Sequence, residues 1–585
     1  MSEERNRKVA TSSDTSPEPA QSGAPAERGP WYSSIQPAVF WPSIVIIGIF
    51  VAFAVIVPGT AEEWLQTVSG EITRYFGWYY NFLVTAFVVF AIWVGVSHFG
   101  DIKLSPQDEE PEFSLGSWLA MLFAAGMGIG LVFFGVAEPL MHFDSPKPGV
   151  EGTQSELAEA SLIQTFLHWG LHPWAIYVVV GLAIAYMVHR KGKPISIRWA
   201  LQPLLGNRVK GVLGDIIDIA AVIGTVFGVA TSLGLGVLQI AAGLEWIEVV
   251  QDPGDLVHVV LIGVITLIAV ISVVTGVKKG IKWLSNFNIT LAGAIMLFVL
   301  IAGPTMFVLR EFIQSIGLYL QNLLQLSFDT TAMQGEAGIE WQGFWQAFYW
   351  GWWISWAPFV GVFIARISRG RTIREFVGGV LLVPTIVTFL WFSVLGGSGL
   401  FRELFGEGGL IDPEDGVTQE GALFGLLEGF PGGTIVIGLA VLLIATFFIT
   451  SSDSGSLVVD MLASGGRTEP PKWSRTFWAT AEGLVAIALL LAGGLEALRA
   501  AAIIIALPFS VVMILMCIAS WRSFTMERRA FLRIQRRQEQ EALTEQVSQN
   551  LIEEGYIEPN SASGATPGSG NGGSGPGSGP TSSTP

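Results

Sequence analysis

The sequence predicts an all-α polytopic membrane protein with twelve transmembrane helices, two leading helices followed by a core of two five-helix halves related as an inverted repeat. Three observations predict the membrane-spanning class, and two interrupted spans predict the repeat. Half of the 585 residues are hydrophobic and only 14% charged, with a mean hydropathy of +0.54, which suits a chain embedded in lipid rather than a soluble globule. Apolar stretches of about 20 residues, the length that crosses a bilayer, recur twelve times. Basic residues collect in alternate connections between them.

The stretches lie near 38–58, 77–97, 115–139, 160–188, 213–240, 256–275, 285–309, 343–366, 372–396, 433–455, 474–494 and 497–520. Between the fourth and fifth stand Arg190, Lys191, Lys193, Arg198, Arg208 and Lys210; two further connections of the same parity carry Lys278, Lys279 and Lys282, then Arg366, Arg369, Arg371 and Arg374. The opposite connections are acidic, as in Glu403, Glu407, Asp412, Glu414 and Asp415. Positive loops stay in the cytoplasm, so both termini are expected there. The net charge of −16 resides in loops and tails and carries no message about nucleic acid. The single cysteine, Cys517, excludes an internal disulfide framework and a cysteine-based metal cluster.

The chain divides accordingly. Residues 1–35 are polar, lack the apolar core of a signal peptide, and are expected to be a disordered cytoplasmic tail. Residues 36–111 hold the two leading helices, 112–309 the first half and 343–520 the second. The linker 310–342 spaces Phe312, Ile316, Leu320, Leu323 and Leu324 at helical intervals and is expected to form an amphipathic helix on the outer surface. Residues 521–556 open on Arg522, Arg528, Arg529, Arg533, Arg536 and Arg537, a basic cytoplasmic helix suited to anionic lipid or to solvent. Residues 557–585 are a Gly/Ser/Pro-rich tail that cannot build a core.

Two spans carry breaker residues. In the third, Gly126, Gly128 and Gly130 alternate within Ala124–Leu131. Glycine costs about 1 kcal/mol in a helix interior relative to alanine, so these serve either close helix packing or a backbone interruption lining a cavity. In the eighth, Pro358 and Gly361 follow a cluster of tryptophans. Interruptions five spans apart are the pointer to an inverted-repeat transporter with its site between the broken helices.

The eighth span is also the most informative chemically. Tyr349, Trp352, Trp353 and Trp356 stand at i, i+3, i+4 and i+7, one side of a helix near mid-bilayer. Interfacial tryptophan is ordinary; a buried stripe of electron-rich faces serves either packing or an organic cation. Trp169, Trp174 and Tyr177 in the fourth span spread over roughly 140° and can share a face opposite that stripe. His168 and His172 have i, i+4 spacing that can bind zinc, but no third ligand is evident and the pair is not read as a metal site. The tenth span ends in Thr450-Ser-Ser-Asp-Ser-Gly455, whose hydroxyls either bond the preceding turn or, with carbonyls of the glycine segment, ligate sodium. Asp453 is expected to be solvated, and Asp215 and Asp218 to be helix N-terminal charges.

These residues resemble the betaine/carnitine/choline transporter family. The resemblance rests on the Ala124–Leu131 segment with Glu138-Pro139 after it, on Trp169, Trp174 and Tyr177, on Trp350–Gly361 and on Thr450–Gly455, and it runs through residues 35–520. It implies a leucine-transporter-type core assembled as a homotrimer in the inner (plasma) membrane. It implies that Trp169, Trp174, Tyr177, Trp350, Trp353 and Trp356 cage a trimethylammonium group. Gly126, Met127 and Gly128 would contact the substrate carboxylate, and Ala124, Met127, Phe447, Thr450 and Ser451 a sodium ion. Gly130 stands where proton-coupled choline carriers of the family have aspartate, which favours a zwitterion such as glycine betaine. Val229 offers no hydroxyl for a second sodium.

The expected function is Na+-coupled symport of glycine betaine or a related trimethylammonium solute by alternating access, serving osmoprotection. The alternatives are a sodium-independent carnitine/precursor-product antiporter and proton-coupled choline uptake. A channel or a membrane enzyme is disfavoured: no charged pore rings and no nucleophile–base set are evident.

Overall fold

A computed structural model describes residues 35–126, 128–275 and 278–556; the two expected tails, Ile35 apart, and Met127 lie outside the described residues. The described chain is helical, and its β pairing amounts to two isolated bridges, Lys103 with Thr372 and Asp412 with Gly416.

Helices α1 (Pro37–Ile56) and α2 (Pro58–Val96) meet at Val57. Each opens on proline, which fits a first turn whose N–H needs no helical partner. Then come α3 (Leu115–Gly126), α4 (Ile129–Asp144), α5 (Gln154–Trp169) and α6 (Leu171–Ala185), α6 running on as a π turn to Arg190. The short α7 (Ile197–Ala200) and α8 (Gln202–Leu205) precede α9 (Val212–Trp246), α10 (Asp255–Thr275) and α11 (Lys278–Ala302). Next are α12 (Thr305–Phe328), α13 (Gly335–Gln342), a π turn at Gly343–Ala347, α14 (Phe348–Ile367) and α15 (Ile373–Phe405). The last three are α16 (Ala422–Glu428), α17 (Gly433–Ala463) and α18 (Lys472–Glu553).

Nine helices among the described residues are long and apolar enough to cross a membrane. The remaining expected spans have identifiable fates. The third is divided into α3 and α4, of 12 and 16 residues. The eighth, α14, is a helix whose Trp, Tyr, Gly and Ser content lowers its apolarity. The eleventh and twelfth are continuous in α18, bent where Gly493 (φ 151°) and Gly494 (φ 59°) leave helical geometry.

Two expectations about interruptions are corrected. Span eight is not opened by Pro358 and Gly361: α14 runs through both. Gly361 instead serves close approach, since a Cβ there would meet Val180 Cγ1 at 2.6 Å and the Gly181 nitrogen at 3.1 Å. Span four, expected to be one helix, is interrupted at Gly170 (φ −94°, ψ −128°), where a Cβ would meet the Phe166 carbonyl at 2.5 Å and the Phe389 ring at 2.8 Å. The linker is helical as α12, with Ile313 72%, Leu320 59% and Leu324 74% exposed on the side facing away from α5 and α15. The basic C-terminal segment is a direct continuation of α18 rather than a separate helix.

Burial sorts the helices. In the apolar window of Gln154–Arg190, 89% of residues are buried, against 22% for Asp255–Thr275 and for Trp283–Ala302; α5 and α6 are therefore central, and α10 and α11 peripheral. Connections expected on one side of the membrane do meet. Leu104 N–H donates to the Arg371 carbonyl (2.8 Å) and Ile373 N–H to that of Ile102 (2.9 Å), while Arg190 and Lys191 pair with Glu527 at 2.6 and 2.5 Å.

Three carboxylates depart from their expected roles. Asp453 is not solvated: it is 2% exposed and paired with Arg475 at 2.8 Å. Asp215 and Asp218 are more than helix-start charges, because both bind Arg198 and Asp218 is fully buried, its Oδ2 accepting from Ser196 and the Arg198 guanidinium and its Oδ1 from the Arg198 N–H. A buried carboxylate needs such partners.

Candidate functional site

Helix α4 begins within the glycine segment, at Ile129. Gly128 is extended (φ −157°, ψ −177°) and caps α4 without a side-chain bond, so the first N–H groups of a 16-residue helix point at the break with the positive end of the helix dipole. Around this start close α5, α6, α9, α14, α15 and α17, leaving a chamber lined by Gly128, Ile129, Gly130, Trp169, Trp174, Tyr177, Ser232, Trp352, Trp353, Trp356, Thr388 and Ser451 with Leu131 and Pro173. None of these side chains is ionised.

The rings are held by specific bonds. Trp353 Nε1 donates to the His168 carbonyl at 3.0 Å, left without a helical partner by the Gly170 break. Trp352 Nε1 donates to Ser232 Oγ at 3.2 Å, and Trp169 Nε1 to Glu138 Oε2 at 2.7 Å. The Tyr349 hydroxyl donates to that same oxygen. Trp352 and Trp353 stack with centroids 4.5 Å apart, and Trp169 meets Trp353 edge-on at 4.9 Å. Trp174 and Tyr177 are likewise edge-on at 5.3 Å. Trp356 Nε1 and the Tyr177 hydroxyl have no hydrogen-bond partner.

Gly130 is demanded by this arrangement. A Cβ there would lie 2.5 Å from Trp352 Cη2 and 2.9 Å from Trp169 Cη2, so any side chain, an aspartate included, displaces two cage rings. Space for the centre of a water-sized sphere is about 30 Å³ in the chamber, about one or two waters; the rings are nearly in contact. Across Trp356 and Ser451 lies a second cavity of about 410 Å³ by the same measure, lined by Asn288, Phe359, Phe363, Phe447, Thr450 and Ser454 among others. Its lining on α11 and α14, from Ser285 to Ile289 and from Phe359 to Phe363, lies in the first half of α11 and the second half of α14.

Of the residues singled out in the sequence, Gly128, Trp169, Trp174, Tyr177, Trp353, Trp356 and Ser451 are brought together at the chamber. Trp350 is not: it points to a neighbouring face of α14, donating to Asn81 Oδ1 at 2.6 Å and stacking on His172. Gly126 is the last residue of α3 and Ala124 lies within that helix, and Met127 falls outside the described residues. Phe447, Thr450 and Ser451 share the second cavity. Thr450 Oγ1 lies 3.1 Å from the carbonyls of Thr446 and Phe447 and accepts from Asn288 Nδ2 at 3.1 Å.

Sequence reasoning assigned no role to Glu138, which is fully buried and ties Trp169, Tyr349 and His168 together. Its signal was available: an ionisable residue inside an apolar span is a functional candidate in its own right. Trp352 was placed on the stripe but not in the cage; Ser232 and Thr388 had no local signal.

Broken helix, buried rings and peripheral apolar helices together describe a multi-pass membrane protein built around an enclosed aromatic chamber. Residues 38–529 match the model of the BCCT, betaine/carnitine/choline family transporter, and the chain belongs to that family. It is 52% identical over 500 residues to an uncharacterized transporter of Mycobacterium tuberculosis, covering 84% of this chain and 83% of that one. It is 46% identical to the glycine betaine transporter OpuD of Bacillus subtilis (84% and 95% covered) and 39% identical to the high-affinity choline transport protein of Escherichia coli (84% and 72%). The chain is thus a member of a transporter family for quaternary ammonium solutes.

Proposed function

We propose that this protein is a Na+-coupled symporter of glycine betaine, or a related trimethylammonium compatible solute, working by alternating access as a homotrimer in the inner membrane. The observation that carries the reading is the chamber itself, with indole and phenol faces from three helices and no ionised group in its lining. A quaternary ammonium cannot donate a hydrogen bond, so π faces are its natural partners. The N-terminus of α4 at Gly128 supports the other end of a zwitterion, since free N–H groups there favour a carboxylate. The clash at Gly130 supports betaine over a carrier design with an aspartate at that position.

Sodium enters beside the chamber. Phe447, Thr450 and Ser451 border the 410 Å³ cavity, and sodium there would tie α17 to the glycine break and draw the cage into its binding geometry. The contracted chamber must widen for a trimethylammonium group, the kind of change that alternating access requires. Supply of an osmoprotectant is the physiological role that fits this substrate.

The test is uptake of labelled glycine betaine into proteoliposomes, with an inward sodium gradient or with potassium replacing sodium. Accumulation is expected only with the gradient. Trp353→Leu should raise the apparent KM about 30-fold, the equivalent of ~2 kcal/mol for a desolvated cation–π contact, while the protein still inserts. Equal counterflow without sodium would support the antiporter instead.

A further inference from the structure

Behind the chamber, toward the acidic connections, α4 and α5 bring together Glu138, His142 and His168. All three side chains are buried, and one ligand atom from each lies within 4.8 Å of the others. We propose that these three residues form a binding site for a divalent transition-metal ion, with Zn2+ the best fit.

The donor set is two imidazole nitrogens and one carboxylate oxygen, borderline donors that suit zinc. Zinc holds such atoms at about 2.0–2.2 Å, which places them about 3.3 Å from one another in a tetrahedron. Here Glu138 Oε1 is 2.6 Å from His168 Nδ1 and 3.5 Å from His142 Nε2, so small side-chain rotations reach that geometry. An independent observation points to a ligand: both ring nitrogens of His142 are buried without a hydrogen-bond partner, a costly condition that a metal would relieve.

The surroundings resemble those of built metal sites. Metal ligands are usually oriented by outer hydrogen bonds, and here His168 Nε2 meets Gln164 Nε2 at 3.1 Å, while Glu138 Oε2 is held by Trp169 and Tyr349. A cavity of about 140 Å³ reaches His142 from the outer side, lined also by Lys147, Gln164 and Asp329. It supplies an entry path and room for water as fourth ligand. The nearby Lys147 ammonium is paired with Asp329, which offsets its repulsion of a cation.

The protons balance. Metal on His168 Nδ1 displaces the proton shared with Glu138; it moves to Nε2, and Gln164 turns its amide from donor to acceptor. The His168–His172 pair, by contrast, is no ligand set, because His172 Nε2 faces Ser327 Oγ at 3.0 Å.

Binding is tested on the purified, substrate-free protein, so its failure would leave the transport reading untouched. Co2+ should give the intense visible absorption of a tetrahedral site at one equivalent, bleached by Zn2+ but not by Mg2+ or Ca2+, whose preference is for oxygen ligands. His142→Phe, which keeps the contact with Trp345, should weaken binding about hundredfold or more, and Tyr349→Phe about tenfold through the outer shell. His172→Phe should leave it intact. Should His142→Phe misfold, His142→Gln carries the same expectation. Absence of saturable Co2+ or Zn2+ binding to the wild type, or affinity retained in both His142 variants, overturns the site.

Discussion

The aromatic chamber and the hydroxyl segment of α17 meet at Ser451 yet are built in opposite ways. In the chamber three indole N–H groups are tied to protein: Trp169 to Glu138, Trp352 to Ser232, Trp353 to the His168 carbonyl. The π faces are left for a ligand and about 30 Å³ remains between them. The hydroxyl segment borders a cavity more than ten times larger, and Thr450 is occupied with its own helix and Asn288. The first region is closely packed and must widen to admit a ligand; the second is open, and Thr450 must exchange partners before it could take an ion. Under the proposed coupling, an ion in the adaptable region would shift the packed one toward its binding geometry.

The strictness of the first region is tested by adjacent glycines. Gly130→Ala places a Cβ within 3 Å of two cage rings, whereas at Gly128 the nearest atom, Trp356 Cη2, is 3.8 Å away. Overpacking costs about 1–3 kcal/mol, so Gly130→Ala should lower uptake efficiency by about tenfold or more. Gly128→Ala should stay within about threefold, an ordinary surface-like cost. Equal effects would show that backbone freedom, not ring contact, governs this segment.

The adaptable region predicts a smaller effect with a direction that packing alone would not give. Asn288 Nδ2 occupies a lone pair of Thr450 Oγ1 that a sodium ion would need. Thr450→Val should raise the sodium concentration for half-maximal uptake about tenfold, the scale of one good ligand or hydrogen bond. Asn288→Leu should lower it a few-fold by freeing the oxygen. Uptake curves against sodium at saturating betaine separate these outcomes; parallel losses in both variants would remove Thr450 from the ion site.

How far the sequence reveals these regions depends on how local their causes are. The stripe at Tyr349, Trp352, Trp353 and Trp356 was legible because helical periodicity is a local rule, and the break before Ile129 because three glycines crowd one turn. Trp350 lies on the neighbouring face, 100° away per residue, and composition alone did not distinguish it. Pro358 and Gly361 are local breakers too, yet packing of α14 on Val180 keeps that helix whole. Gly170 looks unremarkable in sequence, yet span four is interrupted there, and the Phe166 carbonyl and the Phe389 ring leave no room for a Cβ at that position. The Glu138 network joins residues 30 and 211 positions apart, a separation that no pattern within one helix can register.

The mildest test concerns two connections that bond to each other, between α2 and α3 and between α14 and α15. Glu109, between α2 and α3, receives two guanidinium bonds from Arg369 at 2.9 and 2.8 Å. The Arg369 hydrogen bonds hold its carboxyl below the ordinary range; slight burial opposes this and nearby positive charge adds to it. Because the folded value lies below the unfolded one, the contact stabilises the loop pairing above the usual carboxylate range of about 4.3 and is lost as pH falls through the depressed value. Both partners are exposed, so the effect should be small and weaker in high salt. Amide exchange at Leu104 and Ile373, corrected for its intrinsic pH dependence, should rise modestly on acidification, and Glu109→Gln should show the same modest rise already at pH 7. If exchange in the variant matches the wild type, the backbone bonds to Arg371 and Ile102 hold these loops together without the ion pair.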